Sequence, residues 1–100
     1  MVNMDQISIE KIEKYLNTTK TALSRIHIAK DQTIKNQKRA EEFLDMATRY
    51  HKDAIHYRNK GDLVTAFAAV NYAHGWIDAG ARIGLFDVDE GSSDFIMPRD

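Results

Sequence analysis

The sequence predicts an all-α protein, an antiparallel three-helix bundle built from long helices. Three observations predict it. The only proline is Pro98, so the strongest helix breaker is missing from everything before it. Apolar residues recur at steps of three and four in three successive segments, and strand-type alternation is nowhere sustained. Finally, Asn59-Lys60-Gly61-Asp62 offers a glycine to end one helix and an aspartate to cap the next. So short a connection makes the two helices it joins antiparallel neighbours.

The first helix, about residues 6–29, carries Ile9, Ile12, Leu16, Thr19, Leu23 and Ile26 on one side, with Asp5 or Ser8 as its N-cap. Its end is poorly marked. Residues 28–33 contain no glycine or proline, only Asp31 or Thr33 as a cap, and a helix running straight through is the alternative. The second helix, about 32–60, repeats the rhythm with Ala40, Phe43, Ala47, Tyr50, Ala54 and Tyr57. The third, about 62–84, does so with Ala66, Ala69, Ala73, Trp76, Gly80 and Ile83, and Gly84 is its natural stop. Helices of ~24 residues are ~36 Å long, which makes the bundle a slim rod. Residues 1–86 form the single domain, and 87–100 an acidic tail in which Phe95, Ile96 and Met97 are free to dock or stay loose.

The third helix is the most informative segment. Of the 25 residues Asp62–Phe86, 16 are apolar and only Asp62, Asp78 and Arg82 carry a full charge. A helix with so narrow a polar strip needs cover on most sides, from the chain itself or from another chain. Because two neighbouring helices do not cover so wide an arc, part of it is expected to form a homodimer interface. Each mid-helix glycine costs about 1 kcal/mol relative to alanine. Gly75 and Gly80 therefore predict close approach of a backbone or bulky side chain, with Phe67 and Trp76 filling the complementary spaces.

The polar strip itself consists of Asn71, His74, Asp78 and Arg82, which fall within an arc of about 80° on an ideal helix. His74–Asp78 and Asp78–Arg82 are i,i+4 pairs. One reading is a small binding constellation, an imidazole oriented by a carboxylate beside a guanidinium for an anion. The other is the solvated stripe that any helix needs. No serine or threonine in the arc serves as a nucleophile, so a hydrolytic triad is not indicated.

Composition excludes several classes. The chain has no cysteine, which removes disulfides, thiolate metal sites and cysteine nucleophiles. Net charge is −1, so no global basic field points to nucleic acid. The charge is nevertheless uneven. Residues 32–60 hold seven basic and four acidic side chains, while 61–100 hold two and seven. Lys20, Arg25, Lys30, Lys35, Lys38 and Arg39 make a basic run that reads either as an anion-binding face or as the wet side of amphipathic helices. The first residues lack a basic region followed by an apolar run, and the apolar stretch of 63–86 is too interrupted to face lipid. A cytoplasmic protein with no membrane contact is expected.

Other motifs fail on their spacing. Asp87-x-Asp89 begins like a calcium loop, but the glycine falls one position early at Gly91 and the twelfth position is Pro98. Asp53-x-x-His56 is half of a carboxylate-bundle metal motif without its second copy, so no metal and no cofactor is expected. His27 and His51 stand isolated, as surface or boundary residues. The hairpin Ala54–Ala73 is similar to one tetratricopeptide repeat, but no second copy follows at a period of ~34 residues. Arg49, followed after six residues by His56, fits the loose Arg-x(4–6)-His spacing of HEPN ribonucleases.

The run AFAAVNYAHGWIDAGARIGLF, Ala66–Phe86, resembles the C-terminal signature of the domain of unknown function 357 family, small archaeal proteins. The preceding YHKDAIHYRNKGD resembles the helix and turn before that signature. The resemblance implies an archaeal, cytosolic helical protein and carries no substrate or catalytic residue with it. The expected function is therefore a non-enzymatic interaction or assembly module that uses the apolar third helix to bind a second copy or a protein partner. The alternative is nucleic-acid or nucleotide work, as a HEPN-like protein with Arg49 and His56 or through the Asn71–Arg82 strip.

Overall fold

The computed structural model describes residues 7–30 and 32–88. The order is α1 (Ile9–Arg25), β1 (Ile26–Ile28), α2 (Ile34–Asn59), α3 (Leu63–Arg82) and β2 (Phe86–Val88). The three helices form the expected bundle, drawn out to 45 × 24 × 21 Å. Asp5, Asp31, the Asp89–Gly91 part of the calcium-like motif and the Phe95–Met97 run lie outside the described residues.

Each helix starts on a side-chain cap. Ser8, Thr33 and Asp62 accept hydrogen bonds from the backbone N–H groups of Lys11, Asn36 and Thr65, at 3.1, 3.1 and 3.2 Å. The ends of α2 and α3 are built alike. Gly61 and Gly84 both adopt φ of 82°, a left-handed conformation that glycine takes without a Cβ penalty. Around each, two bonds close the helix: Asp62 N–H to Tyr57 O with Gly61 N–H to Arg58 O, and Leu85 N–H to Gly80 O with Gly84 N–H to Ala81 O.

The end of α1 departs from the expected pattern. The helix stops at Arg25, short of residue 29, and the chain passes directly into β1. There Ile26, His27 and Ile28 pair antiparallel with Val88, Asp87 and Phe86. Ile26 and Phe86 point into the core while His27 and Asp87 face water, so β-branched alternation is used here in only three residues. An added bond from Ala29 N–H to Leu85 O at 2.9 Å ties the two segments together. This strand pair breaks the chain between α1 and α2, where a continuous helix was the alternative, and it places the first residues of the expected tail within the fold.

The α2–α3 pair is the most extensive contact in the bundle. Its cause lies in every seventh residue. Ala40, Ala47 and Ala54 on α2, and Ala66, Ala73 and Gly80 on α3, are all buried. Ala54 and Ala66, Ala47 and Ala73, and Ala40 and Gly80 are pairwise equidistant along the chain from Lys60, so the tight turn sets them opposite one another. Small residues at a heptad spacing let two antiparallel backbones approach closely. Aromatic contacts flank the seam in the same register: Phe43 meets Trp76 edge-on at 4.9 Å, and Tyr50 stacks on Tyr72 at 5.3 Å.

α1 lies parallel to α3 and closes the core in two apolar clusters. One joins Ile12, Tyr15 and Leu16 to Ala54, Ala66 and Val70. The other joins Ala22 and Ile26 to Ala40, Ile77, Leu85 and Phe86. The Arg58–Glu13 ion pair links α2 to α1 at the first of these.

The two mid-helix glycines turn out to differ. A Cβ on Gly80 would lie 2.5 Å from Phe86 Cδ2 and closer still to Cε2, so the bulky neighbour is Phe86 of β2, where Trp76 or Phe67 was expected. A Cβ on Gly75 would meet nothing within 4 Å. Gly80→Ala should therefore cost about 1–3 kcal/mol of overpacking, offset only in part by ~1 kcal/mol of helix propensity. Gly75→Ala should stabilise the isolated chain by about 0.5–1 kcal/mol. Urea unfolding of dilute protein measures both, and equal effects would contradict this assignment.

Candidate functional site

Three sides of α3 have three environments. The small-residue side faces α2, and the side bearing Val70 and Ile77 faces α1. The remaining side, away from α1, carries Val64, Ala68, Tyr72, Gly75, Ala79 and Ile83, spaced by steps of four and three over an arc of about 100°. All six are exposed, with Val64 at 43%, Tyr72 at 62% and Ile83 at 65%. Isolated exposed apolar residues are ordinary, but a contiguous apolar face is not.

Two shallow concavities lie on this face and share Trp76. One, about 410 Å³, is lined by Ala68, Asn71, Tyr72, Gly75 and Trp76. The other, about 440 Å³, is lined by Glu42, Phe43, Asp45, Met46 and Trp76. The face is thus two helices wide, apolar along α3 and rimmed by charges on α2.

The polar strip does not act as a single unit. Asn71 is exposed and its Nδ2 donates to the Phe67 carbonyl at 3.0 Å. Asp78 and Arg82 form an ion pair at 2.9 Å in which Arg82 is the more exposed partner. His74 is only 4% exposed. Together with fully buried Thr19 of α1, it sits at the junction of the two apolar clusters, between Val70 and Ile77 along α3 as Thr19 is between Leu16 and Ala22 along α1. Burial pushes the His74 pKa below its ordinary value of 6.5, opposed by the nearby Asp78 carboxylate. His74 is therefore a neutral imidazole of the interior at pH 7, and the strip divides into an outward amide, a buried ring and a surface ion pair.

Arg49 and His56 lie on α2, two turns and ~10 Å apart along the helix. Arg49 is exposed and pairs with Asp45 at 3.0 Å. His56 is exposed, with its ring edge-on to Tyr57 at 5.2 Å. Of the isolated histidines, His27 is on the outer face of β1, and His51 is half-buried with Nε2 3.4 Å from the Leu16 carbonyl. Among the described residues, no group of three His, Asp or Glu side chains is placed to hold a metal ion, and no helix is long and apolar enough to cross a membrane.

Residues 14–86 match the family described as "Protein of unknown function (DUF357)". The chain belongs to that family. The match reaches back through most of α1, well beyond the Ala40–Phe86 stretch that carries the resemblance in the sequence, and it ends at the first residue of β2. No curated protein and no solved structure matches the chain.

An uncovered part of the apolar arc of α3 was expected from sequence, but its residues were not identified. The 3–4 spacing from Val64 to Ile83 was a readable signal, yet Ile83, which is exposed, was given to the main apolar stripe alongside the alanines.

Burial of His74 carries a pH consequence. Its folded-state pKa lies below the unfolded value, so the unfolded chain binds more protons as pH falls. The stability from neutral His74 is fully present above pH ~6.5 and is lost progressively as pH falls from there through the folded pKa. Urea unfolding should show this loss between pH 7.5 and pH 5.5, and His74→Gln should flatten that part of the profile. An unchanged profile in the variant would remove His74 as its cause.

Proposed function

We propose that this DUF357 protein is a non-enzymatic helical interaction module, and that its contact surface is the outward face of α2 and α3. The observation that carries this reading is the exposed apolar stripe from Val64 to Ile83, continuous with the concavities around Trp76. Leaving Tyr72, Ile83 and Val64 in water forgoes burial worth about 25 cal/mol per Å² of apolar surface, and a docked partner recovers it.

This reading is also supported over the nucleic-acid alternative by how the cations are placed. Arg82 is held by a carboxylate one turn away and Arg58 by Glu13, so these two arginines already have anionic partners within the chain. His56, the other member of the Arg49–His56 pair, lies exposed on α2 with its ring edge-on to Tyr57.

The test is light scattering across a wide concentration range, on the wild type and on Ala68→Glu. Ala68 is exposed within the face and lines one of its concavities, so a carboxylate there should leave the helical circular dichroism and cooperative melting intact. The wild type should scatter as an assembly and the variant as a monomer. If the wild type is a monomer at every concentration up to the millimolar range, self-association through this face is excluded.

A further inference from the structure

The interaction face has a property that selects its occupant: both halves of it are complementary to themselves. Along α3 the stripe has the same spacing read in either direction. About a point midway between Tyr72 and Gly75, Val64 is the counterpart of Ile83, Ala68 of Ala79, and Tyr72 of Gly75. An antiparallel copy would therefore set the largest exposed side chain of the stripe over the one position that has no side chain and no neighbour within 4 Å.

The α2 half repeats this in charge. Arg39, Glu42, Met46, Arg49 and Asp53 are spaced by three and four and fall within an arc of about 80° on the side away from α1. Met46 is half-buried and the four charged residues are exposed. Reversed about Met46, Arg39 meets Asp53 and Glu42 comes within one residue of Arg49. Every pair has opposite sign, and Met46 meets itself. Arg49 bonds Asp45 through Nε, which leaves the outer nitrogens of its guanidinium for a second carboxylate.

The two centres coincide. Met46 and the Tyr72–Gly75 midpoint lie almost equally far along the chain from Lys60, so the hairpin sets them at the same level. One axis serves both helices.

We propose that two copies of this chain dock face to face, α3 on α3 and α2 on α2, each pair antiparallel, about a two-fold axis level with Met46 and the Tyr72–Gly75 midpoint. The result is a four-helix core with α1 on each outer side. This rests on the interaction face proposed above and adds its occupant and register. The size is adequate. From Val64 to Ile83 the face is roughly 28 Å long, and two helices wide it projects to on the order of 600 Å². A stable dimer buries ~800 Å² of accessible surface per protomer, a scale the α3 stripe alone does not approach. The exposed charge pairs add little affinity but favour this register, because a slip of about one turn in either direction brings Arg39 opposite Arg49 or Glu42 opposite Asp53.

Sedimentation equilibrium on two charge-reversed variants tests this. Glu42→Lys/Asp53→Lys makes the α2 strip wholly basic, and Arg39→Glu/Arg49→Glu makes it wholly acidic. Each variant alone should be a folded monomer by circular dichroism and sedimentation, and an equimolar mixture should restore the dimer. Gly75→Ala is a second probe with a distinct signature. It should raise the stability of the dilute chain while weakening the dimer by on the order of tenfold, because the added methyl occupies the place of the partner's Tyr72. If the wild type dimerises and Ala68→Glu abolishes it, but the variants dimerise alone or fail to recover when mixed, this register is wrong and the interaction face stands. A monomeric wild type overturns the dimer and its register together.

Discussion

The close approach of α2 and α3 is the constraint on which the rest of this structure depends. Alanine or glycine at every seventh position removes the side chains that would hold the helices apart, and the Gly61 turn sets those positions opposite each other. With the interior of the seam narrow, the aromatic residues beside it are displaced to its edge. Phe43, Tyr50, Tyr72 and Trp76 therefore line a shallow valley on the outer surface and are not fully enclosed. The apolar outward face is thus a direct consequence of a core built from small residues. A core of leucines would have taken up the same hydrophobic content inside.

α1 and the strand pair complete what the hairpin leaves open on the other side. The helix contributes Ile12, Leu16 and Ala22, and β2 returns Phe86 over Gly80, which has no Cβ to obstruct the ring. Between the two apolar clusters lie Thr19 and His74, the polar part of an otherwise hydrophobic interior. Burial keeps the His74 ring neutral at pH 7, and Asp78 beside it limits the shift because the Coulomb attraction opposes desolvation.

The architecture was legible because its determinants are local. Apolar steps of three and four, Gly61 followed by Asp62, and Gly84 all act within a few residues, and each produces the helix, cap or turn that its chemistry requires. The strand pair was not legible for the opposite reason. Ile26-His27-Ile28 alternates over only three residues, and its partner Phe86-Asp87-Val88 is far away in sequence, so only tertiary pairing distinguishes it from the last turn of a helix. The candidate site was partly legible. Helical phase placed Asn71, His74, Asp78 and Arg82 on one arc, but α1 lies over one edge of that arc and buries His74 while leaving Asn71 in water. Helical phase put Gly80 with the alanines and Gly75 on another side, but of the close approaches expected at both, the one at Gly80 is made by Phe86 and Gly75 faces open space.

The chain brings two helices together through their smallest residues and leaves larger ones at the surface, on the face that the proposed dimer would cover. Native-state hydrogen exchange measures most directly whether the α2–α3 seam is the organising contact. The slowest amides should lie on α2 and α3 around Ala47 and Ala73, exchanging only through global unfolding, while α1 and the strand pair open at lower free energy. Amides of α1 that outlast those of the seam would contradict the account.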